Sequence, residues 1–204
     1  MSASAAGTSF VDEAWAAALP TMMDYVAIPA RSPMFDPAWE TTGHIARAAR
    51  LLRDWAEAQA IDGAIVELIE PAGLTPVLLV EIPATRPSLA DRTVVMYGHL
   101  DKQPEMEPWS DGLGPWIPVL RGERLYGRGG ADDGYSIIAA LIAVRAVREA
   151  GGDHARIIVM IEASEESSSV HLAEHMERHL PRFAGADLVI ALDSFCESYD
   201  RLWT

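Results

Sequence analysis

One cysteine, Cys196, stands among 204 residues, so no disulfide can close within the chain, and a reducing compartment is the simplest reading. No apolar stretch approaches the roughly 20 residues that a helix needs to span a bilayer. Residues Met1 to Thr8 offer neither a basic start nor a long apolar core, so no secretory signal is expected and the cytoplasm is the expected location. Basic residues are scarce: 16 Lys and Arg against 30 Asp and Glu leave a formal charge of -14. That balance argues against nucleic acid or an anionic membrane surface as partner, and suits a site whose carboxylates hold cations. Repeats and low-complexity tracts are also missing, and 50% hydrophobic residues with 23% charged ones mark a folded globular chain.

Periodicity then divides the chain. Apolar residues at helical spacing predict one helix from about Phe10 to Val26 and another from about Ala38 to Ala60, the latter with Ile45, Ala48, Leu51, Leu52, Trp55 and Ala56 on one stripe. After Asp62-Gly63 the period changes, and 64–69, 77–82 and 93–97 read as strands. The Pro-, Gly- and Trp-bearing stretch from Gln103 to Gly127 has neither period and reads as a long ordered loop. A buried helix is expected from Ser136 to Ala150, a strand from Arg156 to Glu162, a helix from Val170 stopped by Pro181, and a strand from Ala186 to Leu192. This rhythm predicts an α/β fold, a three-layer sandwich around a mainly parallel sheet.

In such sheets, sites gather at the carboxyl ends of the strands. His99 and Asp101 follow one strand, Glu165 and Glu166 another, Asp193 a third, and Asp132-Asp133 precede the buried helix. Zinc in a hydrolytic site takes imidazole and carboxylate ligands and leaves a position open, and a carboxylate can bridge two ions. Asp101 is placed to accept the ring proton of His99 that a metal would not use. Of two adjacent glutamates, one can ligate while the other serves as general base.

Taken together, His99-Leu100-Asp101, then Leu125-Tyr126-Gly127-Arg128-Gly129-Gly130-Ala131-Asp132-Asp133, then Glu165-Glu166-Ser167, then Leu192-Asp193-Ser194 resemble metallopeptidase family 20, which includes carnosine dipeptidases, aminoacylases and carboxypeptidase G. The resemblance runs from roughly Trp15 to the last residue. It implies that His99, Asp132 and Asp193 ligate one zinc, that Asp132 bridges to a second held by Glu166, and that Glu165 is the general base acting on a bridging water, with Asp101 behind His99. It also implies a cis peptide after Asp132. Zinc would be the metal, with cobalt or manganese as substitutes, and dipeptides, short peptides or N-acyl amino acids the substrates. An aspartate at position 193 leans toward peptides with a free amino end.

Departures from the family pattern shape three more expectations. Members carry a lid domain and a final segment bearing the second zinc's histidine, so residues 1–204 are expected to be the amino-terminal part of a catalytic domain, with one well-made metal site and one poor one. Such a chain could bind metal without turnover. Its incomplete sheet would leave an edge and an apolar surface open, so a homo-oligomer is expected. Gly134-Tyr135 stands where a lysine is usual, and Ser168 where glycine is common.

Competing readings were set against these. Asp132-Asp133 could simply cap the following helix, Arg128 reads as loop-ordering, and Trp109 and Trp116 as loop packing rather than a substrate platform. His171-Leu172-Ala173-Glu174-His175 fits the His-x-x-Glu-His pattern of inverzincins. That mechanism needs a distant downstream glutamate, and only 29 residues follow His175, so the histidines read as a partly exposed helix face.

Overall fold

The structure, a computed structural model, describes the backbone of residues 3–193, 196–198 and 201–202 and the side chains of residues 9–193 and 198. Ser194, in the fourth motif, lies outside them, as do Trp203 and Thr204. The order is α1 (Ala3–Val26), α2 (Trp39–Thr42), α3 (His44–Ala58), β1 (Ile65–Ile69), β2 (Val77–Ile82), β3 (Thr93–His99), β4 (Val119–Arg121), β5 (Arg124–Tyr126), α4 (Ser136–Glu149), β6 (Arg156–Glu162), α5 (Leu172–Phe183), β7 (Leu188–Ala191), β8 (Cys196–Ser198) and β9 (Arg201–Leu202). None of the described helices is long and apolar enough to cross a membrane.

Three boundaries differ from the periodicity reading, each for a local reason. The expected helix 38–60 is split at Gly43, whose left-handed φ of 68° ends α2 and begins α3, a conformation that glycine adopts without a Cβ penalty. The long loop contains the hairpin β4–β5, too short to show a period. Pro181 does not stop α5, which continues to Phe183. Burial of that ring outweighs the one hydrogen bond proline removes.

The main sheet has the order β1-β2-β6-β3-β7. β2 pairs antiparallel with both β1 and β6, whereas β3 is parallel to β6 and to β7. The sheet is therefore mixed, with only β2 running against the rest. Alternation along β2 and β6 builds two cores. Leu78, Val80, Ile82, Ile157, Val159 and Ile161 face the layer of α1, α3 and α4, while Val77, Leu79, Ile158 and Met160 meet α5 through Phe183. Helices thus lie on both faces, and the three layers expected from the sequence are present.

β3 sits between two strands that come later in the chain. Its last residue, His99, stands beside Glu162, the last of β6, and Tyr97 stands beside Ala191, the last of β7. Three parallel strands therefore end along one edge of the sheet.

Candidate metal centre

His99 is fully buried, and its two ring nitrogens face different chemistry. Nδ1 lies 3.1 Å from the main-chain carbonyl of Asp101 and 3.6 Å from its carboxylate. Nε2 is buried without a hydrogen-bond partner and lies 3.2 Å from Asp132 Oδ1, 3.7 Å from Glu165 Oε2 and 3.7 Å from Asp193 Oδ2. With Nδ1 within reach of the carbonyl, Nε2 is the nitrogen left to face the carboxylates, and a cation there would take the place of its proton. An orphaned, basic nitrogen ringed by acidic oxygens is a donor set for a borderline divalent ion such as zinc.

Asp101 does more than stand behind the ring. Its two carboxylate oxygens accept the backbone N–H groups of Glu165 and Glu166, each at 3.1 Å. The acidic pair is therefore held by its own main chain, in the 3-10 turn Glu165–Ser167, against the tip of β3. His99 Nδ1 is nearer to the Asp101 carbonyl, at 3.1 Å, than to the carboxylate, at 3.6 Å, whose oxygens also hold the turn.

Asp132 and Asp133 are joined by a cis peptide. Asp132 faces the site, while Asp133 turns inward and accepts the His99 N–H at 3.0 Å. Neither side chain caps α4, whose N-cap is Tyr135 with no side-chain bond. Gln103 donates to Glu166 Oε2 and leaves Oε1 buried and unpartnered. Beneath the turn, Glu162 is buried and accepts from Tyr97 at 2.5 Å, Ser169 at 2.8 Å and Ser164 at 2.9 Å.

Electrostatics follow from this crowding. Burial alone would pull His99 down, but Asp101 and Asp132 beside its ring raise it to about 11. The same imidazole holds Asp132 below its ordinary value. Burial, reinforced by the charge of Asp132, pushes Glu166 up to about 7. Burial likewise lifts Asp133 to about 7 and raises Glu165. A cage that grips protons this far above their usual affinity is short of positive charge, a shortage that a divalent cation relieves. Lys102 does not relieve it. Its ammonium is turned away to the carbonyls of Tyr25 (2.7 Å), Val26 (3.3 Å) and Ile28 (2.8 Å) at the end of α1, and burial lowers it to about 6.

All six residues singled out from the sequence converge here. Their grouping is its own finding: His99 with Asp132 and Glu166 forms one set able to hold an ion, and His99 with Glu165 and Asp193 forms another. The resemblance paired Asp193 with Asp132 and left Glu165 unligated; the structure brings Glu165 within reach of the imidazole as well. Sequence reading gave no site role to Gln103 or Glu162, and noted Asp133 and Tyr135 only as neighbours of Asp132. Glu162 had a usable signal, a lone acidic residue closing an otherwise apolar strand.

The histidines of the other motif are occupied elsewhere. His171 Nδ1 meets the N–H and the hydroxyl of Thr75, each at 3.1 Å, and His175 is buried with Nε2 2.8 Å from the Thr75 carbonyl. They fasten α5 to the start of β2; His171 is partly exposed as expected, whereas His175 is buried, and neither belongs to a ligand-capable group among the described residues. Trp109 donates to the Glu105 carbonyl and Trp116 lies 5.4 Å from the Lys102 ammonium, both within loop packing.

Comparison with known proteins agrees with this geometry. The family model described as "Peptidase family M20/M25/M40" matches residues 95–195. Beta-Ala-His dipeptidase of Homo sapiens is 35% identical over 125 residues, covering 59% of this chain and 24% of the relative. Its counterpart in Rattus norvegicus is 29% identical over 183 residues, covering 85% and 36%. The crystal structure of human carnosine dipeptidase 1 superposes with a TM-score of 0.74 at 28% identity, over 96% of this chain and 42% of that one. An M20 family metallo-carboxypeptidase from Sulfolobus solfataricus gives 0.68 at 26% identity, over 85% and 36%. The chain thus spans about a quarter to two fifths of the length of the relatives it matches.

Proposed function

We propose that this chain, whose residues 95–195 match the model of peptidase family M20/M25/M40, supplies most of the metal centre of a hydrolase that cleaves amide bonds of dipeptides, short peptides or N-acyl amino acids. The observation that carries this reading is the buried, unpartnered Nε2 of His99 among the carboxylates of Asp132, Glu165 and Asp193. His99, Asp132, Glu166 and Asp193 would hold zinc. When bound, zinc supplies Lewis acidity, which acidifies water and polarises an amide carbonyl.

The chain's own residues do the rest. Asp101 fixes the turn that presents the two glutamates, and its carbonyl fixes the tautomer of His99. Glu165, partly open to solvent beside His99, takes a proton from the attacking water at its carboxylate and returns it to the leaving amine. Its raised proton affinity suits a group that must both accept and donate near neutrality. Gln103 keeps one oxygen of Glu166 engaged, so that the other faces the site.

A second reading, metal binding without turnover, has its own support: both ligand-capable groups depend on one imidazole, so His99 can complete only one of them at a time. Calorimetric titration with zinc, followed by hydrolysis of β-Ala-His and other dipeptides, tests both readings. Tight binding that His99→Ala abolishes, with turnover that Glu165→Gln abolishes, is the expected result. Tight binding without turnover selects the second reading, and no binding overturns both.

A further inference from the structure

Of the groups around His99, Asp193 has the weakest framework. It follows β7, an edge strand of the sheet, which among the described residues pairs only with β3 and whose Leu188 and Val189 are exposed. What fixes the chain just before it is the peptide of Leu192, held on both sides. Its N–H donates to the Tyr97 carbonyl at 2.8 Å, and its carbonyl accepts the hydroxyl of Tyr135. Tyr135 lies three residues after Asp132, on the segment that also supplies the inward-facing Asp133. One phenol therefore spans from the Asp132 segment to the residue preceding Asp193.

We propose that Tyr135 is the positioning residue for Asp193, setting its carboxylate relative to Asp132 and His99. The inference rests on the metal-centre reading above and deepens it. Tyr135 acts through the Leu192 carbonyl, as outer partners of a metal ligand commonly do. The hydroxyl is well placed for this because Tyr135 and Leu192 both pack against the main core, which restrains the phenol.

The test is calorimetric titration of the full chain with Zn2+ alone, and with Co2+ followed by its visible absorption. Tyr135→Phe keeps the ring and removes the donor, so a loss of metal affinity of about 10- to 100-fold is expected, with an altered cobalt spectrum. The same substitution made on Asp193→Asn should add little, because the residue it acts through no longer ligates. Val159→Ala, a core truncation remote from the site, controls for general loosening and should leave affinity near wild type. Should Y135F fail to fold, Tyr135→His, whose ring stops short of Leu192, takes its place. Wild-type affinity in the Tyr135 variant, or an equal loss on the D193N background, overturns the proposal. A wild-type chain that binds neither ion instead overturns the metal-centre reading beneath it.

Discussion

Burial and crowding around one imidazole shift the proton affinities of the groups packed there. His99 holds its proton up to about 11, and Asp133 and Glu166 hold theirs to about 7. All three are raised above their unfolded values, so the sign is the same for each: the folded, metal-free chain binds extra protons. The stability from the two carboxyls is lost as pH rises from about 4 through about 7, and that from His99 declines as pH rises from about 6.5 toward 11. A bound cation competes with those protons. The melting temperature with zinc minus that with a chelator should therefore widen between about pH 5.5 and about pH 7.5, and a constant or shrinking gap in thermal melts would count against the carboxylate cage. Glu162 offers a second residue-scale check. Its carboxylate accepts from three hydroxyls, so Glu162→Gln sets a donor against donors and should cost roughly 1–3 kcal/mol in urea unfolding.

The elements show which parts of the design could be seen in advance. Strands 77–82 and 156–162 and helix α4 were legible because their apolar runs have clean ends, and His99, Asp132, Glu165, Glu166 and Asp193 were legible because they sit where strands finish. What was not legible depends on contacts between distant segments. Nothing local in Asp101 says that it would clasp two backbone amides 64 and 65 residues away, and nothing in Tyr135 points to Leu192. Gly134 shows the same dependence. It stands where the family usually has a larger residue, and a Cβ there would fall 2.0 Å from Cε1 of the Tyr25 ring, whose hydroxyl donates to the Leu100 carbonyl at 2.8 Å and whose face carries Lys102 Nζ at 4.0 Å. Gly134→Ala should destabilise the chain by about 1–3 kcal/mol in denaturant unfolding, and a smaller side chain at Tyr25 should return part of that loss. Simple additivity of the two substitutions would show that the crowding is not where the structure puts it.

At the scale of the whole molecule, β1 and β7 are the two edges of the sheet among the described residues. β7 carries apolar side chains on both faces, and a cavity of about 300 Å³ lined by Val94, Met96, Val144, Val147, Leu188 and Ile190 opens beside it. Exposed Val189 lies on the opposite face. An open strand edge with apolar surface favours self-association, against which a net charge of -14 acts as a brake. Sedimentation velocity across a range of concentrations should show reversible association that added salt strengthens, and Val189→Lys should suppress it. A chain that stays monomeric at high concentration and high salt would refute this.

The placement of β3 has one more consequence, for how the centre comes into being. The strand bearing His99 is flanked on both sides by strands that follow it in the chain. No nascent or partly folded form that lacks β6 and β7 can gather the carboxylates of residues 165, 166 and 193 around that imidazole. Metal affinity is therefore a late signal in folding. An ion held by His99, Glu165 and Asp193 certifies that both crossover connections have closed in the right order, which makes a coloured ion such as cobalt an optical witness of completed topology.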